Sequence, residues 1–189
     1  MCLLYFIGKN NLRALKIVFL YKFRTMKLRE LKIVFREFAS EEELQEEDRT
    51  LLQAARSATE RAYAPYSGFK VGAALRLQSG LVVQGNNQEN AAYPSGLCAE
   101  RTALFYANAN YPDQAVDTIA VTARNASGWM IEPVKPCGSC RQALLESESR
   151  SGKLMRILLD GQSAIYLLEG VDSLLPLNFK ASDLQGHTR

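Results

Sequence analysis

Three cysteines, one glutamate and two arginines fall in two short stretches of this 189-residue chain. The first is Pro94-Ser95-Gly96-Leu97-Cys98-Ala99-Glu100-Arg101; the second, about forty residues on, is Pro136-Cys137-Gly138-Ser139-Cys140-Arg141. Zinc held by cysteine takes four protein ligands in structural sites, and three plus a water in catalytic ones. Cys98, Cys137 and Cys140 make three. A fourth would have to be an Asp, a Glu, Cys2 or His187, the only histidine; Cys2 and His187 sit at chain ends, where fraying is expected, so an open fourth position is the reading. Glu100, two residues from a ligand, is then placed to move protons at a water rather than to bind metal.

Cys137 and Cys140 stand three apart in the first turn of a predicted helix, so their side chains share a face. Free N–H groups and the positive end of the dipole lower a thiol's pKa there. Three thiolates on one Zn2+ sum to a single negative charge, which weakens the metal as a Lewis acid. Arg101, on the same helical face as Cys98, and Arg141, next to Cys140, are expected to donate to sulfur and offset it. On a regular helix Cys98 and Glu100 point about 200° apart, so they serve one site only if the metal sits off the helix end. A redox Cys-x-x-Cys has no need of a third cysteine, and a structural zinc site lacks its fourth ligand.

The elements that must position these residues can be read in order. Residues 28 to 38 predict a short N-terminal strand. Ser40 followed by Glu41, Glu42 and Glu43 marks a capped helix start, running to about Tyr63 with Leu44, Leu51, Leu52, Ala55 and Ala62 on its apolar face. From Phe69 to Leu77 alternation predicts a half-buried strand, joined through Gln78-Ser79-Gly80 to a second, Leu81 to Gln84. Helices are expected from about Cys98 to Asn108 and from Cys137 to about Ser149, and strands at Val116 to Ala123, Met155 to Leu159 and Ala164 to Leu168. Asp160-Gly161 reads as a hairpin turn, and Leu174 to Phe179 as a short helix or turn. The fold class is α/β: three layers, with helices on both sides of a mixed sheet of about five strands. Consecutive right-handed crossovers would bring both helix N-termini to the carboxyl edge of the parallel strands, where Cys98 meets Cys137 and Cys140.

Composition bounds the rest. Hydrophobic residues at 47% and charged residues at 23% describe a globular protein long enough to bury a core. Residues 1–25 carry five of the positive charges and no acid, so the remainder of this +3 chain is mildly acidic. No basic track for nucleic acid is therefore expected. Lysines at 9, 16 and 22 interrupt the N-terminal apolar runs, so neither a spanning helix nor a membrane partner is expected. Residues 12–19 recur closely as 28–35 and Met26 opens the second copy, so residues 1–25 read as a dispensable extension before a catalytic domain at 26–189. Free cysteines point to a reducing compartment, and cytoplasm is the default.

Several further blocks carry a resemblance: Ala64-Pro65-Tyr66-Ser67 with Phe69, Val71-Gly72-Ala73-Ala74, Asn87-Gln88-Glu89-Asn90-Ala91-Ala92-Tyr93-Pro94, Cys98-Ala99-Glu100-Arg101, Pro136-Cys137-Gly138-Ser139-Cys140-Arg141-Gln142 and Leu174-Leu175-Pro176. Across roughly Ala62 to Leu184 the chain resembles the compact, homotetrameric cytidine deaminases of pyrimidine salvage. The resemblance implies one zinc per subunit and a Glu100 proton shuttle for hydrolysis of cytidine or 2′-deoxycytidine to the uridine product and ammonia. It also implies that Asn87 and Glu89 bind the ribose 3′-hydroxyl, that Phe69 packs on the pyrimidine, that Ala99 contacts substrate, and that Tyr93 and Phe179 reach or shape a neighbouring subunit's site. On the residues alone, Asn87 and Glu89 would be turn residues and Phe69 core. Two other readings stay open: a deaminase of another amino-pyrimidine nucleoside such as blasticidin S, and a zinc-stabilised scaffold without turnover.

Overall fold

The structure, a computed structural model, describes residues 27–184. The expected extension at 1–25, the first repeat copy, Cys2 and His187 lie outside the described residues. The chain divides after Leu31, and the fold below is that of the unit beginning at Lys32.

One sheet holds seven strands: β1 (Arg36–Phe38), β2 (Lys70–Leu77), β3 (Val82–Asn86), β4 (Val116–Asn125), β5 (Gly128–Trp129), β6 (Arg156–Asp160) and β7 (Ile165–Glu169). Their order is β1-β7-β6-β4-β2-β3, with β5 paired to the end of β4. β4 and β6 are parallel, while β2 is antiparallel to both β3 and β4. It follows that β3, β4 and β6 all run the same way. α2 (Ala99–Asn110) joins β3 to β4, and α3 (Gly138–Ser151) lies between β4 and β6. Both helices therefore begin at one edge of the sheet, as the ligand spacing requires.

Period-two alternation explains the layers. Leu75 and Leu77 of β2, Ile119 and Val121 of β4, and Ile157 and Leu159 of β6 pack with Leu104 of α2 and Leu144 and Leu145 of α3. Their neighbours Ala74, Ala120 and Leu158 turn the other way, onto Leu51, Leu52 and Ala55 of α1 (Glu46–Ala58). Each such leucine contributes ~1.5–3 kcal/mol by leaving water. β2, expected to be half-buried, is covered on both faces because α1 lies where solvent was anticipated.

Glycine sets how closely α2 approaches the sheet. A Cβ on Gly85 of β3 would stand 2.5 Å from the Ala99 carbonyl oxygen and 2.5 Å from the Ala103 nitrogen, so only a bare Cα lets the helix start so near the strand. Two ion pairs with buried carboxylates and half-buried guanidinium groups tie α1 down from the other side. Asp48 accepts from Arg156 at 2.9 and 2.5 Å, and Arg56 makes two 2.9 Å bonds to Asp160, which also accepts from Thr122 at 2.7 Å.

Several expectations need correction. The N-terminal strand is three residues long, pairing Arg36–Phe38 with Ile165–Leu167, and the register Arg36↔Leu167 with β7 ending at Glu169 leaves nothing opposite the predicted residues before Val34. Ser40 opens only a 3-10 turn, Glu41–Glu43; Leu44 is extended, and α1 starts after Gln45. That helix stops at Ala58, with a 3-10 turn at Thr59–Arg61, and Ala62 lies outside the core. Asp160 belongs to β6, so the connection to β7 is longer than a two-residue turn. Seven strands replace about five, since β1 and the two-residue β5 join the sheet.

Candidate active site

Cys98 is the residue before α2, with φ −74° and ψ 154°, and Cys137 the residue before α3, with φ −68° and ψ 167°. Neither has entered its helix, so each thiol leans off the helix end rather than along its side. The 200° conflict between Cys98 and Glu100 disappears with that step. The Sγ atoms of Cys98 and Cys137 lie 3.8 Å apart, those of Cys137 and Cys140 3.5 Å, and all three within 4.8 Å of one another. Sulfurs at ~2.3 Å from a tetrahedral zinc stand about 3.8 Å apart. The donor set and its spacing therefore fit zinc, with two helix N-termini supplying positive potential.

Cys98 is the thiol poised to ionise. A hydrogen bond from Cys140, and then Arg101, whose Nη2 is 3.7 Å from Cys98 Sγ, pull its pKa down to about 5. The resulting thiolate pushes Cys140 up. Arg101 thus stands where offsetting charge was expected. Arg141 does not: its Nε donates to the Pro136 carbonyl at 2.8 Å and its Nη1 to that of Leu174 at 2.7 Å. With its bonds spent on these two backbone oxygens, Arg141 braces the loop ahead of Cys137.

Glu100, on the first turn of α2, is 4% exposed. Burial, foremost, and the neighbouring Cys98 thiolate hold its carboxyl above the ordinary glutamate range. A carboxyl so placed takes up and releases a proton more readily near neutrality than an exposed one.

Cys98, Cys137 and Glu100 line a cavity of about 640 Å3 together with Phe69, Val71, Asn87, Glu89, Tyr93 and Arg101, and Cys140 lies buried behind them. Asn87 Oδ1 accepts from Val71 N at 2.8 Å and its Nδ2 donates to the Phe69 carbonyl at 2.9 Å. Glu89 Oε2 accepts from the backbone of Tyr66 at 2.9 Å and Ser67 at 3.3 Å. Ala99 is fully buried at the start of α2, outside the cavity lining. Phe179 is 56% exposed and also outside it, while Tyr93 lines the cavity of its own chain.

Ser67, Tyr66 and Lys135 line the cavity too, and their individual roles were not anticipated. For Ser67 a signal existed: a serine two residues before Phe69 with Gly68 between, a pattern that lets a hydroxyl bond the backbone. Lys135 had no such signal.

A fold with two helix N-termini meeting over three thiols and a buried acid defines a zinc-binding hydrolytic centre. Residues 45–154 match the family of the cytidine and deoxycytidylate deaminase zinc-binding region, and the chain belongs to that family. It is 40% identical to a cytidine deaminase of Halalkalibacterium halodurans, over 71% of this chain and 95% of that one, and 37% identical to a cytidine deaminase of Sporosarcina psychrophila, over 71% and 92%. The crystal structure of cytidine deaminase from Burkholderia pseudomallei superposes with a TM-score of 0.59 at 41% identity, covering 69% of this chain and 97% of that one.

Proposed function

We propose that the protein hydrolyses cytidine, and 2′-deoxycytidine, to the uridine product and ammonia in pyrimidine salvage. The observation that carries this is Glu100, buried beside the three thiols in a cavity large enough for a nucleoside.

Cys98, Cys137 and Cys140 would hold the zinc, which when bound supplies the Lewis acidity that makes water a nucleophile near neutral pH. Glu100 takes a proton from that water and places it on N3 of cytosine as the oxygen adds to C4. It then carries the remaining hydroxyl proton to the exocyclic amine. The C4–N4 bond breaks, ammonia leaves and C4 becomes a carbonyl, so protons balance without a redox partner. Phe69 covers the pyrimidine. Arg101 offsets the thiolate charge.

Asn87 and Glu89 present complementary groups to a sugar hydroxyl. Glu89 Oε2 already receives two N–H groups, whereas Oε1 receives only the Ser67 hydroxyl and keeps a lone pair. Asn87 Nδ2 keeps one N–H. One acceptor and one donor suit a hydroxyl, which needs both, and this supports the ribose 3′-hydroxyl as the group bound.

Homotetramer assembly is part of this reading. Exposed Phe105, Tyr106 and Phe179 support it, with Tyr93 and Phe179 completing sites between subunits. Among the described residues no helix is long and apolar enough to cross a membrane, and we place the enzyme in the cytoplasm with nucleosides, not nucleic acid, as partners. Residues 1–25 are proposed to be dispensable; their deletion should leave turnover per folded chain intact.

The test is cytidine turnover followed by ultraviolet absorbance, with ammonia measured in parallel. Loss of the cytosine band with one ammonia per cytidine is expected. Turnover of blasticidin S but not cytidine would move the substrate, and no turnover of either by zinc-loaded protein would leave the scaffold reading.

A further inference from the structure

One hydroxyl on the cavity wall has two partners, and both belong to residues that line the same cavity. Ser67 Oγ donates to Glu89 Oε1, and accepts the backbone N–H of Phe69 at 3.0 Å. The backbone N–H groups of Tyr66 and Ser67 close on the other carboxylate oxygen. Gly68, at φ +65°, turns the chain so that one hydroxyl can meet Glu89 and Phe69 together, and its own N–H returns to the Ala64 carbonyl at 3.0 Å. Asn87 grips the same loop from below through Phe69 O and Val71 N.

We propose that Ser67 is a positioning residue for sugar recognition: its hydroxyl fixes which Glu89 oxygen faces the nucleoside and locks that oxygen to the backbone carrying the Phe69 ring. This rests on the reading that Glu89 binds the ribose 3′-hydroxyl. Glu89 is an exposed-side carboxylate with three donors, all from Tyr66 and Ser67. Without the hydroxyl, Oε1 loses its only partner and the carboxylate is free to rotate about its remaining two bonds. Ser67 itself touches neither the metal ligands nor Glu100, so its loss should appear in substrate affinity and not in the chemical step. A serine serving only the turn would be indifferent to the sugar.

The experiment measures kcat and KM for cytidine and for 3′-deoxycytidine with the zinc-loaded wild type, Ser67→Ala, Ser67→Thr and Glu89→Gln. For Ser67→Ala, KM for cytidine should rise about tenfold, the worth of one hydrogen bond to a charged group, with kcat nearly unchanged. KM for 3′-deoxycytidine should hardly move, and Ser67→Thr, which keeps the hydroxyl, should recover most of the loss. Equal losses on both substrates, or no recovery with Thr, would reduce Ser67 to a turn residue and overturn the proposal. Should the Ala variant prove too unstable to assay, Ser67→Cys, with its weaker donor, must show the same substrate split in smaller measure. If Glu89→Gln distinguishes the two substrates as well as wild type does, the sugar reading itself fails, and the Ser67 proposal with it. A Glu89→Gln variant that loses discrimination while Ser67→Ala keeps it would overturn the Ser67 proposal alone.

Discussion

The Sγ atoms of Cys98 and Cys137 lie 3.8 Å apart across 39 residues of sequence, because two parallel crossovers deliver both residues to one edge of the sheet. Replacing either with Ser should drop zinc from about one ion per chain to well below that, with turnover falling alongside. Metal analysis after gel filtration checks it. Because a metal that binds only the folded form stabilises it, chelation should lower the melting temperature of wild type and leave the Cys98→Ser variant unmoved.

Two carboxylates face the cavity with opposite shifts. Glu100 is raised, chiefly by burial, and Glu89 is lowered, chiefly by the Ser67 hydroxyl. As pH falls, Glu100 takes its proton first and Glu89 stays charged, so the acid limb of kcat/KM belongs to Glu100 and lies above the ordinary glutamate range. Glu89→Gln should lower kcat/KM by the same factor across that limb. A limb that moves in this variant would reassign it.

Gly85 offers a test of position rather than chemistry. Gly85→Ala forces a methyl to within 2.5 Å of the Ala99 carbonyl and the Ala103 nitrogen, so the start of α2 must back away from β3. Such overpacking costs about 1–3 kcal/mol. Cys98 and Glu100 move with the helix, so turnover should fall further than the lost stability explains, as seen by comparing kcat for fully folded protein with its urea midpoint.

Asp48 is a stability test away from the site. Its side chain is 3% exposed, is held by Arg156 and Arg76, and lines no part of the cavity. Asp48→Ala leaves two partly buried guanidinium groups short of a partner, which should cost ~3 kcal/mol. The melting temperature would fall by roughly 10 °C in a domain of this size, with kcat at low temperature close to wild type.

The site was legible where its chemistry is local. Cys98, Glu100, Cys137 and Cys140 are fixed by spacing along single turns, and Arg101 by its place on the same face as Cys98. Arg141 was misread because its fate depends on the Leu174 carbonyl, 33 residues away, which no local pattern reveals. The helix start at Ser40 failed for a related reason: Ser40 makes no side-chain cap, the three acids fit a single 3-10 turn, and Leu44, buried against α1's own core, pulls the chain extended before the helix begins. β5 is too short to leave a period. Ser67 lay within a motif already noticed, and its bond to Phe69 is local, yet its bond to Glu89, 22 residues away, becomes visible only in the folded chain.

The most direct test is Glu100→Gln, which keeps the shape and removes the proton carrier. The variant should hold about one zinc per chain, bind cytidine with affinity near wild type, and lose about 10²–10⁴ in kcat, the range for a general acid–base group. Retention of more than a tenth of wild-type kcat, with zinc in place, would contradict the assignment of Glu100 and the deamination mechanism built on it.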